Sequence, residues 1–267
     1  MQISFHKYQG TGNDFIIMDN RNHSYHTLLD KRQIAMLCDR RFGIGGDGLI
    51  LLNAHSEFDF EMLYYNADGA TGSMCGNGSR CIVQFANDMG IQKSAYTFLA
   101  ADGKHEARIQ KDGSIVLKMN DVERIDYINN DAVLNTGSPH YVQFCTDVRD
   151  LNVYQKGRDI RYSARFEKEG INVNFVRQLD DRDSIYVRTY ERGVENETFS
   201  CGTGVTAAAL VCHYNKDGYN NIKVKTPGGN LSVSFEKYEN TFTNIWLSGP
   251  ADKVFEGVLE ISEMGIE

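Results

Sequence analysis

The sequence predicts an α/β (α+β) protein of two pseudo-symmetric domains, each with strands wrapped around a central helix. Three observations lead there. Two cysteine turns, Met74-Cys75-Gly76-Asn77-Gly78 and Ser200-Cys201-Gly202-Thr203-Gly204, stand 126 positions apart (201 − 75). Other landmarks recur in the same order at nearly the same spacing. Helical and strand-like apolar patterns follow one another similarly in both halves.

The landmarks set the register of the repeat. Thr11-Gly12-Asn13 answers Thr136-Gly137-Ser138 at 125 positions (136 − 11), and Gly43-Ile44 answers Gly170-Ile171 at 127 (170 − 43). The stretch from Asp59, ending Tyr65-Asn66-Ala67-Asp68-Gly69, answers that from Asp183, ending Tyr190-Glu191-Arg192-Gly193, at 124 (193 − 69). Asp102-Gly103, in a predicted hairpin, answers Gly228-Gly229 at 126 (228 − 102). A period this long means duplicated domains, since solenoid repeats run to roughly 20–50 residues.

Element by element, Met1 to Gly10 alternates and reads as an edge or hairpin strand. Leu28, Leu29, Ile34, Leu37 and Cys38 recur at helical spacing, which predicts an amphipathic helix within 28–41. Phe58, Phe60, Met62 and Tyr64 alternate as in a strand and break at Asn66 to Gly69. After Cys75, the positions Ile82, Val83, Phe85, Ala86 and Met89 form one helical face, capped by Gly90. Val205 to Val211 is apolar or small nearly all round, the pattern of a helix buried on every side. Ile115 to Met119 closes the first half, Asp121 to Asn130 has a linker's polar composition, and Val254 to Ile261 alternates like a final strand. Its pattern does not say which half that strand joins.

Composition narrows the function classes. Of 267 residues, 41% are apolar and 24% charged, the profile of a soluble globular chain. The net charge of −8 leaves no basic footprint for nucleic acid. No apolar run reaches the roughly 20 residues that span a bilayer, and the N-terminus lacks the apolar core of a secretion signal. Small-molecule work in the cytosol is the expectation.

Six cysteines are too sparse for a disulfide framework, and their spacings match no zinc motif. Cys38, Cys81 and Cys212, on apolar helical faces, and Cys145, after Val142 and Phe144, read as core residues. Cys75 and Cys201 differ, because flanking glycines expose backbone there. A helix start leaves N–H groups unpaired and carries partial positive charge, so a thiol there ionises more readily and a carboxylate can dock beside it. Two such turns suit inversion at a carbon that carries a hydrogen, with a base on one face and an acid on the other. Cysteine suits both roles, its ordinary pKa of about 8.5 being near neutrality. The titrations of such a pair are coupled. Gly43 to Gly48 follows a helical pattern and misses the spacing of a dinucleotide loop. No cofactor or metal motif is present, so carbanion stabilisation falls to oriented N–H donors and exclusion of water.

The motifs Gly10-Thr11-Gly12-Asn13-Asp14-Phe15, Arg41-Phe42-Gly43-Ile44-Gly45, Tyr65 to Gly69, Met74 to Cys81, Gly137-Ser138-Pro139-His140, Asn172 to Phe175, Tyr190 to Gly193 and Cys201 to Gly204 together resemble diaminopimelate epimerase, a cofactor-independent amino acid epimerase family. The resemblance spans nearly the whole chain. It implies domains of 1–120 plus 250–267 and 121–249, each a curved, mostly antiparallel sheet around its helix, with the ligand in the cleft between them. It implies interconversion of L,L- and meso-diaminopimelate, on the way to lysine and peptidoglycan precursors, by a cytoplasmic homodimer. Carried over by residue, Cys75 and Cys201 are the acid/base thiols, with His140 and Glu191 biasing their protonation. Asn13, Asn66 and Asn172 hold the distal amino acid end, Arg192 clamps its carboxylate, and the backbone of Gly76-Asn77 and Gly202-Thr203 takes the reacting one. Two departures concern the distal end. Ser138 stands where the family usually has Asn, and Gly48 where it often has Gln, which removes a side-chain contact. The runner-up is an epimerase of the same fold acting on proline, hydroxyproline or histidine, which lack a second amino acid end. A non-catalytic binding module is a third reading, opposed by the presence of both thiols. Thiols that meet across a closing cleft would be joined by air oxidation and restored by a reductant.

Overall fold

The computed structural model describes residues 2–22, 25, 29–72 and 74–260. Leu28 and Ile261 lie outside the described residues. The chain forms two compact units, Met1–Leu117 with Pro250–Glu267, and Lys118–Gly249. Among the described residues, no helix is long and apolar enough to cross a membrane.

In the first unit, the elements in chain order are β1 (Gln2–Gly10), β2 (Asn13–Asp19), α1 (Lys31–Cys38), β3 (Gly48–Asn53), β4 (Phe60–Asn66), α2 (Gly76–Asp88), β5 (Ala95–Ala100), β6 (Gly103–Ile109) and β7 (Ile115–Lys118). The second contains β8 (Asp126–Ile128), β9 (Asp131–Asn135), β10 (Pro139–Phe144), α3 (Val153–Arg161), β11 (Asn172–Gln178), β12 (Ser184–Glu191), β13 (Asn196–Thr198), α4 (Gly202–Leu210), β14 (Gly218–Thr226), β15 (Gly229–Tyr238) and β16 (Thr241–Gly249). The chain then returns to the first unit as β17 (Asp252–Glu260), antiparallel to β1 from Gln2↔Glu260 to Gln9↔Asp252.

The repeat read from glycines holds at the level of strand pairing. The first unit runs β17-β1-β2-β3-β4-β5-β6-β7, antiparallel except at β2–β3 and β4–β5. The second runs β8-β9-β10-β11-β12-β14-β15-β16, antiparallel except at β10–β11 and β12–β14, with β13 an addition beside β12. Parallel neighbours need a long crossover, and helices occupy those connections: α1 and α2 in one unit, α3 and α4 in the other.

Each unit buries most of one helix and one side of another. Every residue of α2 from Gly76 to Val83 is buried. A Cβ on Gly78 would stand 3.1 Å from Ile50, 3.4 Å from Met62 and 3.5 Å from Phe15, so glycine lets α2 lie close to β2, β3 and β4. The opposite face of β2 and β3, through Ile16, Met18, Leu49 and Leu51, packs with Ile3 and Phe5 of β1 on Ile34, Leu37 and Cys38 of α1. Successive side chains of a strand point to opposite faces. That is why Phe15 to Met18 and all of β3 are buried. The second unit repeats the arrangement, with Val173, Phe175 and Tyr190 packed on Val153 of α3 and α4 buried over Val205 to Leu210.

The helix expected within 28–41 is present as Lys31–Cys38, starting behind an Asp30–Gln33 capping box that satisfies the first-turn N–H groups. Two local readings are corrected. The segment 121–130 is no mere linker, since it contains β8 and Val122 bridges Phe242. Cys212 lies just past the end of α4, buried but off the helix. The N-terminal strand is a hairpin strand but not an edge: β1 pairs with β2 through the two-residue turn Thr11-Gly12, both at positive φ, the type I′ geometry whose twist suits a hairpin.

Candidate active site

Cys75 and Cys201 occupy the same structural position in their units. Each is the N-cap of the buried helix, with nearly the same backbone: φ −117, ψ 119 for Cys75 and φ −119, ψ 112 for Cys201. Neither side chain caps its helix. The first-turn N–H groups are therefore not taken up by the thiol, and Gly76-Asn77 and Gly202-Thr203 form the first turn in each case. The other four thiols are of a different kind. Burial pushes Cys38 up to about 12 and Cys81 higher still, and raises Cys145 and Cys212. They stay protonated; Cys38, Cys81 and Cys212 are buried, whereas Cys145, expected in the core, is half-buried at its margin.

In the first unit, Cys75 Sγ donates to Asn13 Oδ1 at 3.6 Å, and Asn77 Nδ2 donates to the same oxygen at 3.4 Å. Asn13 Nδ2 in turn donates to Asp47. Asp47 belongs to a charge cluster that the sequence reading missed. Asp14 pairs with Lys7 at 2.7 Å and Arg40 at 2.5 Å, and Arg40 reaches Asp47 at 2.8 Å. Burial works to raise the Asp14 carboxyl, but bonds from Arg40 and Lys7 outweigh it and hold it down at about 2. Asn66 ends β4 opposite Gly48, its backbone closing the turn to Gly69 and Ala70. At Gly48 a Cβ would stand 2.5 Å from both the Tyr64 ring and the Tyr65 carbonyl. Tyr64 fills the space a longer side chain would need.

The second unit gathers two groups. In one, Asn172 Nδ2 donates to Ser138 Oγ at 2.9 Å, Arg192 Nη2 reaches the same hydroxyl at 3.4 Å, and the Arg192 N–H donates to Asn172 Oδ1 at 2.8 Å. Arg192 is braced by the Glu169 carbonyl at 3.0 Å. Glu191, next along β12, accepts from Thr198 Oγ1 at 3.0 Å.

The other group leads to Cys201. Asn174 Oδ1 accepts from Thr189 at 2.9 Å, which turns its Nδ2 toward His140 Nδ1 at 3.0 Å. An amide nitrogen only donates, so His140 Nδ1 accepts and the ring proton sits on Nε2. That nitrogen donates to Thr203 Oγ1 at 2.9 Å, and the same hydroxyl shares a hydrogen bond with Cys201 Sγ at 3.5 Å in which either atom can be the donor. His140 is fully buried, and burial first, then the Arg192 charge, pushes its pKa down to about 3. It thus reaches Cys201 as a neutral ring through one hydroxyl rather than as a cation. Asn174 and Thr189, which set this tautomer, carried no sequence signal beyond a polar residue on an apolar strand. Gly204 has a sharper one, since a Cβ there would lie 2.3 Å from Asn174 Oδ1.

The fold is shared with several amino acid racemases and isomerases. A phenazine biosynthesis protein of the PhzF family from Bacillus anthracis superposes with a TM-score of 0.76 at 14% identity, covering 98% of this chain and 100% of that one. A probable proline racemase from Agrobacterium radiobacter gives 0.69 at 14% identity, covering 97% and 93%. Sequence relatives are much nearer. The diaminopimelate epimerase of Flavobacterium psychrophilum is 48% identical over 258 residues, 95% of this chain and 99% of its own. That of Chlorobaculum tepidum is 38% identical over 263 residues, 94% and 99% of the two chains. The sequence model of the diaminopimelate epimerase family matches residues 5–125 and 132–254, and on that extent of agreement the chain belongs to this family.

Proposed function

We propose that the protein interconverts L,L- and meso-2,6-diaminopimelate by a two-base reaction in which Cys75 and Cys201 are the acid/base pair. The observation that carries this reading is the twin placement of the thiols, each an uncapped N-cap of a buried helix, in a chain nearly half identical to a diaminopimelate epimerase. One thiolate removes the α-proton while the other thiol delivers a proton to the opposite face, and the reverse reaction exchanges the roles. First-turn N–H groups at Gly76-Asn77 and Gly202-Thr203 receive the α-carboxylate and the charge that develops on it, the kind of fixed dipole that lowers such a barrier. No cofactor is part of the proposed chemistry.

Substrate selection is assigned to the distal end. Arg192 offers a planar fork for a carboxylate. Ser138 and Asn172, bonded to it and to each other, supply acceptors and donors for an amino group. Asn13 and Asn66 complete the proposed set. His140, through Thr203, and Glu191 are proposed to tune the thiols. We further propose a cytoplasmic homodimer that serves lysine and peptidoglycan-precursor synthesis, with domains bounded near 120 and 250.

The test is epimerisation of L,L-diaminopimelate by purified, reduced protein, with proline, hydroxyproline and histidine as controls and deuterium uptake at the α-carbon as readout. Activity on diaminopimelate alone is expected. Cys75→Ala and Cys201→Ala should each lower kcat by about 10²–10⁴-fold. Full activity in either variant would refute the two-base reading, and turnover of proline instead would move the substrate assignment.

A further inference from the structure

Arg80 stands one turn into α2, buried to 0% exposure. Its guanidinium donates to Gly76 O at 3.4 Å, Asn77 Oδ1 at 2.9 Å, Thr11 Oγ1 at 3.1 Å and Pro250 O at 3.2 Å. All four acceptors are neutral, and among the described residues no carboxylate pairs with it. A charged group is almost never wholly buried unless an opposite charge compensates it. A guanidinium stays protonated even so. These contacts take up four of its five N–H donors and leave its charge unneutralised.

The equivalent residue in the second unit is Thr206, 126 positions on (206 − 80). Thr206 Oγ1 donates to Gly202 O at 2.9 Å, the contact that Arg80 makes to Gly76 O. The two helix starts therefore share a backbone geometry and a hydrogen bond to the carbonyl after the cysteine. They differ in that one holds a buried positive charge and the other a neutral hydroxyl.

We propose that Arg80 is a positioning residue whose uncompensated buried charge makes Cys75 the thiol that rests ionised, leaving Cys201 as the one that rests protonated. The inference rests on the two-base reading for its functional meaning but not for its test. Other groups facing this end of α2 do not cancel the charge. From β2 and the loop before β3, Asp14 and Asp47 are already paired with Lys7 and Arg40. Asp252 of β17 is exposed and accepts from Gln9 at 2.6 Å, so water screens it. Cys81 is held as a neutral thiol by burial. His6, against Phe85, and Tyr8, bonded to Asp88, face the last turns of the helix instead. The Asn13 carbonyl favours the thiol form of Cys75, but at 3.6 Å and while shared with Asn77. Burial works against the Arg80 charge, and a thiolate at Cys75 works the other way, each charge favouring the other. Asn77, which accepts from Arg80 and donates to the same Asn13 oxygen as Cys75, links the guanidinium to that thiol through hydrogen bonds.

The experiment measures each thiol by the pH profile of its alkylation by iodoacetamide, mapped by mass spectrometry, with Cys75 read in a Cys201→Ser protein and Cys201 in a Cys75→Ser protein. Each serine background removes coupled titration. The midpoint for Cys75 is expected at least about one pH unit below that for Cys201, the scale of shift a nearby opposite charge produces. Arg80→Gln should raise the Cys75 midpoint by about one to two units, while Arg80→Lys, which keeps the charge, should restore most of the depression. A role confined to packing would move neither midpoint. Equal midpoints, or a Cys201 midpoint below that of Cys75, overturn the proposal, as does an unmoved Cys75 midpoint in folded Arg80→Gln. If that variant does not fold, the comparison between the two thiols decides alone. No step uses substrate, so failure of the epimerase assay and failure of this inference are separate results.

Discussion

His140 shows how one residue couples the site to the stability of its unit. Its ring is neutral in the folded protein, with its pKa pushed down to about 3 by burial and then by Arg192, whereas in the unfolded chain it titrates near 6.5. Below about pH 6.5 the unfolded state takes up a proton that the native state refuses. The contribution is thus fully present above that pH and is lost as pH falls toward the native value, at up to about 1.4 kcal/mol per pH unit. Melting temperatures at pH 7.5 and 5.0 should therefore differ more for the wild type than for His140→Gln. Equal pH dependence in the two proteins would contradict the buried neutral ring. Gly48 gives a second prediction at this scale. Because a Cβ there would press on the Tyr64 ring and on backbone at Tyr65, Gly48→Gln should destabilise by about 1–3 kcal/mol, the usual cost of overpacking. Calorimetry should show the loss, and Tyr64→Ala should recover part of it, because Tyr64 supplies only one of the two clashes.

The elements that bear the thiols show a conflict between stability and chemistry. Serine is a much better N-cap than a residue whose side chain makes no cap bond, by about 0.5–2 kcal/mol, and neither Cys75 nor Cys201 caps its helix. Cys201→Ser should therefore melt no lower than the wild type, and up to a few degrees higher, while losing epimerase activity, whereas Cys75→Ser sets the same cap gain against loss of the thiolate beside the buried Arg80 charge. A marked fall in the melting temperature of Cys201→Ser would mean that its thiol contributes packing the helix needs. Most of this scale was legible beforehand. The helices at Cys75 and Cys201, the strands that end at Asn66 and Glu191, and the hairpins at Asp102-Gly103 and Gly228-Gly229 follow from glycine punctuation and apolar periodicity, which are local signals. The strand β8 was not legible, because a three-residue strand is too short to show a pattern of its own and exists only by pairing with β9. The cluster of Lys7, Asp14, Arg40 and Asp47 was hidden for the same reason: its members lie far apart in sequence. Arg80 was visible as a letter in a motif, but its burial and lack of a carboxylate partner are facts of packing.

At the scale of the whole molecule, β17 completes the first unit. It pairs along β1 from residue 2 to residue 9, and the returning Pro250 carbonyl accepts from Arg80 at 3.2 Å. A chain cut after Gly249 should leave β1 as an unpaired edge, a site for aggregation, and remove one of the four bonds to a buried cation. Loss of soluble protein, or of a cooperative melt, is the expected result, and an unchanged melt would show that β17 is dispensable. The same strand carries a consequence for the origin of the chain. With β17 placed ahead of β1, the two units become the same succession of strands and crossovers from end to end, β13 alone excepted. The present order is thus a circular permutation of a plain tandem duplication, with the join between copies displaced by one strand. Gln2 and Glu260 are already ladder partners, so linking them and opening the chain between Gly249 and Pro250 would recreate two contiguous copies without breaking one strand pair.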